Sequence, residues 1–308
     1  MEKIQLIKKI FVHWFSLMVS PLKKISIPGF GGVTIYSLLQ LYLTGIIKGA
    51  IGMRASSVSF SFFLALFPFL LFLLNLIPFI SHFAFLKADI FEESLLRDFG
   101  LVIPNDSQSF FNEIFNEIQN RPRAGLLSTI FLLSVFFSAN GIRSLFASFQ
   151  GSYHLEITRN FISQFLYAAG ISIIIAFLIL IGVGTFFYME GQISEITLWL
   201  GFNDDKYVRY IQLGFFGFII FLIVCILYKF GSVETRKVHF FSAGAFFTTV
   251  LFFISTYLFG IYVDNFSSYN QLYGSLGALL IFLIYIFLNA NILLLGFELN
   301  ATIRKLKK

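Results

Sequence analysis

The sequence predicts an all-α fold: a polytopic membrane helical bundle with six transmembrane helices, both termini cytoplasmic, and interfacial amphipathic helices beside it. Three observations predict it. Apolar residues make up 57% of the 308-residue chain and charged residues 12%, against about 45–50% and about 25% in soluble domains. Six apolar stretches each reach the roughly 20 residues a helix needs to cross a hydrocarbon core about 30 Å thick. The 22 Lys and Arg residues fall unevenly on alternate connections, as the positive-inside rule requires of a multi-span protein.

The chain opens with an amphipathic stretch. Ile4, Ile7, Phe11, Trp14 and Met18 recur every three to four residues, with Lys3, Lys8 and Lys9 between them, the pattern of a helix lying on a membrane surface. Lys8 and Lys9 interrupt the apolar run and no small-residue cleavage site follows, so a signal peptide is not expected. Pro21, Pro28 and the Gly29-Phe-Gly-Gly run break the chain into a linker. A second amphipathic helix is expected over 33–52, on Ile35, Leu38, Leu39, Tyr42 and Ile46.

The expected spans are 58–80, with Pro68 at its middle, then 124–149, 161–189, 207–228, 238–263 and 271–298. They read as helices because the apolar runs are long and unbroken, whereas barrel strands alternate over about ten residues. Between the first two lies an outer loop, 81–123, with two helical stretches, about 87–99 and about 107–120, separated by Pro104, the second with an apolar face. Three parts result: a cytoplasmic helix and linker (1–32), a membrane domain (33–303) and a basic tail (304–308).

Charge sets the orientation. The connections on the side of the termini hold 16 Lys and Arg against four acids, and the other side holds six against 12. The terminal side is therefore cytoplasmic. This asymmetry absorbs the net charge of +6 without a nucleic-acid partner. Composition also excludes a soluble enzyme, a disordered regulator and a disulfide-stapled secreted domain, the lone Cys225 reading as a small buried hydrophobe.

Catalytic motifs are missing. His13, His82, His154 and His239 are isolated, no HExxH or Cys/His metal spacing occurs, and no GxSxG, Walker A or GxGxxG loop is present. No catalytic residue, metal or cofactor is expected. No span core carries an acid or base, which argues against a proton relay at mid-membrane.

Polar residues do converge in depth. At 1.5 Å per residue, Asn140 and Arg143 lie about 25 and about 30 Å from the outer face along span two. Asn289 and Asn291 lie about 24 and about 27 Å along span six, with Glu298 at its cytoplasmic end and Arg54 starting span one at that level. Two readings stay open. Arg54, Asn140, Arg143, Asn289, Asn291 and Glu298 form an inner-leaflet pocket for a polar headgroup or its phosphate. Or an arginine pairs with Glu298 and the asparagines join helices, as intramembrane polar side chains commonly do. Glycines such as Gly182, Gly217 and Gly244 mark close helix packing, within one chain or in a homo-oligomer.

Three blocks then carry a family likeness: residues 55–70 (ASSVSFSFFLALFPFL), residues 140–146 (NGIRSLF) leading to Tyr153, and residues 273–278 (YGSLGA) with 294–301 (LLGFELNA). They resemble the YihY/BrkB-type inner-membrane proteins of bacteria over roughly 33–303. The last helix departs from that pattern, having Leu283-Ile-Tyr-Ile-Phe where the family often has Trp-Leu-Tyr. The resemblance implies six helices in the bacterial cytoplasmic membrane. It also brings a ribonuclease BN label, which these residues do not support, a link to virulence, and a lipid or envelope-precursor transport role. The leading expectation is a transporter-like protein that binds or moves a lipid or other amphiphile, with membrane lipids as partners. The alternative is a non-transporting assembly or structural factor of the envelope.

Overall fold

The computed structural model describes residues 34–80, 129–155, 159–199, 205–234, 239–265 and 275–306. The expected N-terminal surface helix, the linker, the outer loop and the last two residues of the tail lie outside them. The described chain is helical, without strands: α1 (Ile35–Lys48), α2 (Ile51–Ile80), α3 (Thr129–Gln150), α4 (Phe161–Trp199), α5 (Asp205–Gly231), α6 (Ala243–Asn265) and α7 (Ser275–Leu306). Windows within α3 to α7 are each long and apolar enough to cross a membrane. The pair α1 and the first part of α2 (Ile51–Leu66), bent by 60° at a short break, passes that test jointly, so the described helices give five candidate spans, or six if the bent pair is one span.

Thr34 starts α1 as its N-cap, its hydroxyl accepting from the Ser37 amide at 3.2 Å and so satisfying an end donor that the helix leaves open. The helix stops at Gly49. Ala50 then takes a left-handed φ of 48°, a conformation in which a Cβ crowds the following carbonyl. The chain turns there and α2 begins at Ile51. The helix α2 begins ahead of the expected residue 58, and Arg54, expected at the start of span one, sits in its first turn.

Each of α2 to α6 packs on its successor, and α7 returns to α2 and α1, closing a ring. Additional contacts of α3 with α5 and α7 fill the middle. The core is aromatic at one end. Phe149 of α3 stacks on Phe297 of α7 with ring centroids 4.0 Å apart, and Tyr228 of α5 meets both rings edge-on. The Tyr228 hydroxyl donates to the Leu293 carbonyl at 2.7 Å and lies 2.5 Å from Thr248 Oγ1, so its polar end is satisfied in an apolar setting. Close approach of α6 and α7 needs Gly244 and Gly296: a Cβ on Gly296 would overlap the Thr248 hydroxyl, and one on Gly244 the Gly296 carbonyl. Outward faces stay apolar, with Phe60, Leu132, Phe136, Tyr257 and Leu258 at least half exposed, as lipid contact requires.

Candidate functional site

The most buried charge lies on α7. Glu298 has no exposed surface. A span ending at residue 298 would have left it at the membrane edge, but α7 continues to Leu306, with Ala301 and Thr302 also buried. Residues 299–303 (LNATI) contain no helix breaker, so the helix carries on and encloses the carboxylate.

Arg54 and His154 face Glu298. Arg54 Nη2 lies 3.6 Å from Oε2, and His154 Nε2 lies 3.6 Å from Oε1, a contact that is ionic only when the imidazole is protonated. Both separations are too long for hydrogen bonds. Arg54 is held by donating from Nη1 to the Ser148 carbonyl at 2.7 Å. His154 sits in the turn that follows α3, with Nε2 3.2 Å from the Leu41 carbonyl of α1. Burial pushes the His154 pKa below the ordinary imidazole value, and the Glu298 carboxylate opposes that shift. The roof of the site is α1. Gly45 faces Glu298 and His154 so closely that a Cβ there would come within 2.7 Å of Nε2. Next to Leu41, the Tyr42 hydroxyl donates to the Leu295 carbonyl at 3.1 Å and ties α1 to α7.

This cluster has unused hydrogen-bonding capacity. Arg54 Nε and Nη2, His154 Nδ1 and both Glu298 oxygens are buried without a hydrogen-bond partner. Buried polar groups are ordinarily paired; here Arg54 Nη2 and both Glu298 oxygens are met only by the 3.6 Å contacts, which leaves donors and acceptors without hydrogen bonds on three adjacent side chains.

The other expected site residues lie elsewhere. The structure brings Arg54 and Glu298 together. It directs Arg143 Nε and Nη2 onto Asn140 Oδ1 at 3.1 and 3.0 Å, with the guanidinium 4.7 Å from the Phe161 ring centroid. Asn289 donates to the Tyr285 carbonyl at 2.9 Å and accepts from Ser255 at 3.4 Å. Asn291 donates to the Phe287 carbonyl at 2.8 Å on its own helix. At about 100° per residue, Asn291 shares the Glu298 face of α7 two turns away, whereas Asn289 points about 180° from it.

Sequence reasoning missed His154, Tyr42 and a second, part-buried pair in which Arg304 donates to Glu234. His154 carried one legible signal: it follows α3 directly, at the same membrane level as Arg54 and Glu298. Near the second pair, Asn300 accepts from the Gly244 amide and donates to Ser242 Oγ, both at 2.8 Å. These bonds satisfy the start of α6 and make a structural joint. Among the described residues, no group of three or more His, Cys, Asp and Glu is arranged to hold a metal ion.

Comparison with known proteins places this site in context. The family model described as Virulence factor BrkB matches residues 43–308, which include the three cluster residues. YfkH of Bacillus subtilis, a protein named as ribonuclease-like, is 26% identical over 258 residues, covering 83% of this chain and 90% of that protein. A UPF0761 membrane protein of Coxiella burnetii is 22% identical over 251 residues, 79% of this chain and 84% of its own. A UPF0761 membrane protein of a Psychrobacter species is 46% identical over 57 residues, which are 18% of this chain and 11% of that one. No solved structure matches the chain.

Proposed function

The chain belongs to the BrkB virulence-factor family of membrane proteins, and from that premise we propose that it is transporter-like. It binds or moves a lipid or other amphiphilic component of the bacterial envelope, without a covalent step. Arg54, His154 and Glu298 receive the polar headgroup, and the tails leave between helices. The charge asymmetry puts both termini in the cytoplasm and therefore this cluster at the inner leaflet of the cytoplasmic membrane. Arg143 and Asn289 act as helix-joining residues in this reading, through Phe161 and Ser255, Asn140 holds Arg143 on its own helix, and Asn291 lies on the Glu298 face toward mid-membrane.

The observation that carries the proposal is that five buried polar atoms of Arg54, His154 and Glu298 make no hydrogen bond, Arg54 Nη2 and both carboxylate oxygens being met only at 3.6 Å. The covering element supports it. Transporters commonly build substrate sites beneath discontinuous helices, and here the roof is the broken pair α1–α2, bent by 60°. The enclosed Glu298 corresponds to an occluded state, and the headgroup enters when α1 swings about Gly49 and Ala50. Ionisable groups enclosed within a helical membrane protein are costly and mark substrate or ion pathways.

The test is mass spectrometry of amphiphiles retained by gently purified protein, compared among wild type, Glu298→Gln and Arg54→Gln. A species enriched on wild type and lost from both variants is expected. The same bulk lipid on all three, with the variants folded as judged by circular dichroism, would rule out a headgroup site at this cluster.

A further inference from the structure

A second cluster of charge lies outside the buried one. Lys48 ends α1, Lys305 lies in the last turn of α7, and Tyr153 sits in the turn after α3. The three ends meet. Lys48 Nζ lies 5.3 Å and Lys305 Nζ 5.5 Å from the centroid of the same Tyr153 ring. That ring is 46% exposed and packs edge-on against the His154 ring at 5.3 Å. One ring attracts one ammonium by about 0.5–1 kcal/mol at an exposed site, but two ammoniums drawn to one ring repel each other. Glu298 is already set between Arg54 and His154, and no ion pair of Lys48 or Lys305 is found among the described residues.

An apolar face runs up to these lysines. Leu43 and Ile47, one turn apart on α1, are 53% and 77% exposed, and Met53 at the start of α2 is 76% exposed. Positive charge bordering an exposed apolar strip fits an amphiphile with an anionic head, and basic residues at the cytoplasmic leaflet attract anionic lipid. We propose that Lys48, Lys305 and Tyr153 form a surface site for the phosphate of an anionic membrane phospholipid, whose acyl chains lie along Leu43, Ile47 and Met53. The phosphate bridges the two ammoniums and removes their mutual repulsion. This rests on the amphiphile-handling reading above and narrows its ligand to a phosphate-bearing lipid that docks beside the broken helix before it opens.

Native mass spectrometry of the full chain in detergent, titrated with phosphatidylglycerol, with phosphatidylethanolamine and with inorganic phosphate, tests it. Wild type should prefer phosphatidylglycerol by about thirtyfold, on the order expected for two near-surface lysines, and inorganic phosphate at equal concentration should not displace the lipid. The Lys48→Ala/Lys305→Ala variant should lose that preference. Lys48→Arg/Lys305→Arg should keep it, which guards against a mere folding defect. Equal binding of both lipids to wild type, an unchanged preference in the alanine variant, or displacement by inorganic phosphate would overturn the proposal. Glu298→Gln separates the two sites. If it loses its retained species while the lysine variant keeps the lipid preference, the surface site falls and the buried site stands. If only the lysine variant changes, the surface site stands and the buried one falls.

Discussion

Replacing Arg54 by alanine should be among the most damaging single changes to this fold. At 3.6 Å from Glu298 Oε2, the guanidinium contributes about 4–5 kcal/mol of attraction at an effective dielectric constant of about 20. It also donates to the Ser148 carbonyl at 2.7 Å, a charged hydrogen bond of about 1.5–3 kcal/mol. Against these stands the cost of taking both charges out of water, which removal of the arginine recovers for one of them only. Glu298, with no exposed surface, keeps its own cost without its compensation. Breaking one side of such a pair costs about 3–5 kcal/mol, and that loss is expected for Arg54→Ala. In Arg54→Ala/Glu298→Gln the bare charge is gone, and at least about 2 kcal/mol should return. Reversible unfolding in mixed micelles, followed by far-UV circular dichroism, reads both values. If the single and double variants are equally stable, or if Arg54→Ala costs less than about 1 kcal/mol, Glu298 does not depend on Arg54 and the cluster is misassigned.

Three further outcomes follow from the same contacts. Gly45→Leu places a side chain against His154 and Glu298 and should hold α1 away from the site, lowering the unfolding midpoint and abolishing amphiphile retention together; normal retention would mean that α1 does not cover the site. Gly296→Val drives carbon into the Thr248 hydroxyl and should cost about 1–3 kcal/mol by overpacking, measured in the same mixed micelles. The pH dependence has a defined sign. Burial holds the folded His154 pKa below the ordinary 6.5, so the unfolded chain binds more protons just under that value. Stability should be full above about pH 6.5 and fall as pH drops below it; thermal midpoints from pH 8 to 5 should show this slope in wild type and a shallower one in His154→Gln.

Much of this architecture is written in the sequence because membrane helices obey a length rule that needs no tertiary information. The depth of each polar residue is legible for the same reason, which is how Arg54 and Glu298 were expected at one level. Direction around each helix is not legible. Arg143 precedes Ser148 by five residues on α3, so it points about 140° away from the side that meets Arg54, and its spacing of three from Asn140 instead favours the local pair observed. Asn289 fails to join Glu298 for the same reason of phase. His154 was overlooked because an isolated histidine has no motif, and the turn that carries it to α1 is a product of packing. In the sequence Glu298 reads as a span boundary, whereas helix-compatible residues and buried partners carry α7 past it to Leu306.

The most direct test of the central claim is a high-resolution electron cryomicroscopy map of the wild-type protein in nanodiscs of bacterial lipid, rigidified by a bound antibody fragment. Headgroup density within hydrogen-bonding distance of Arg54 and Glu298, with α1 displaced about Gly49 and Ala50, is the predicted result. A map in which Arg54, His154 and Glu298 contact only protein, with α1 closed over them in every class of particle, would contradict it.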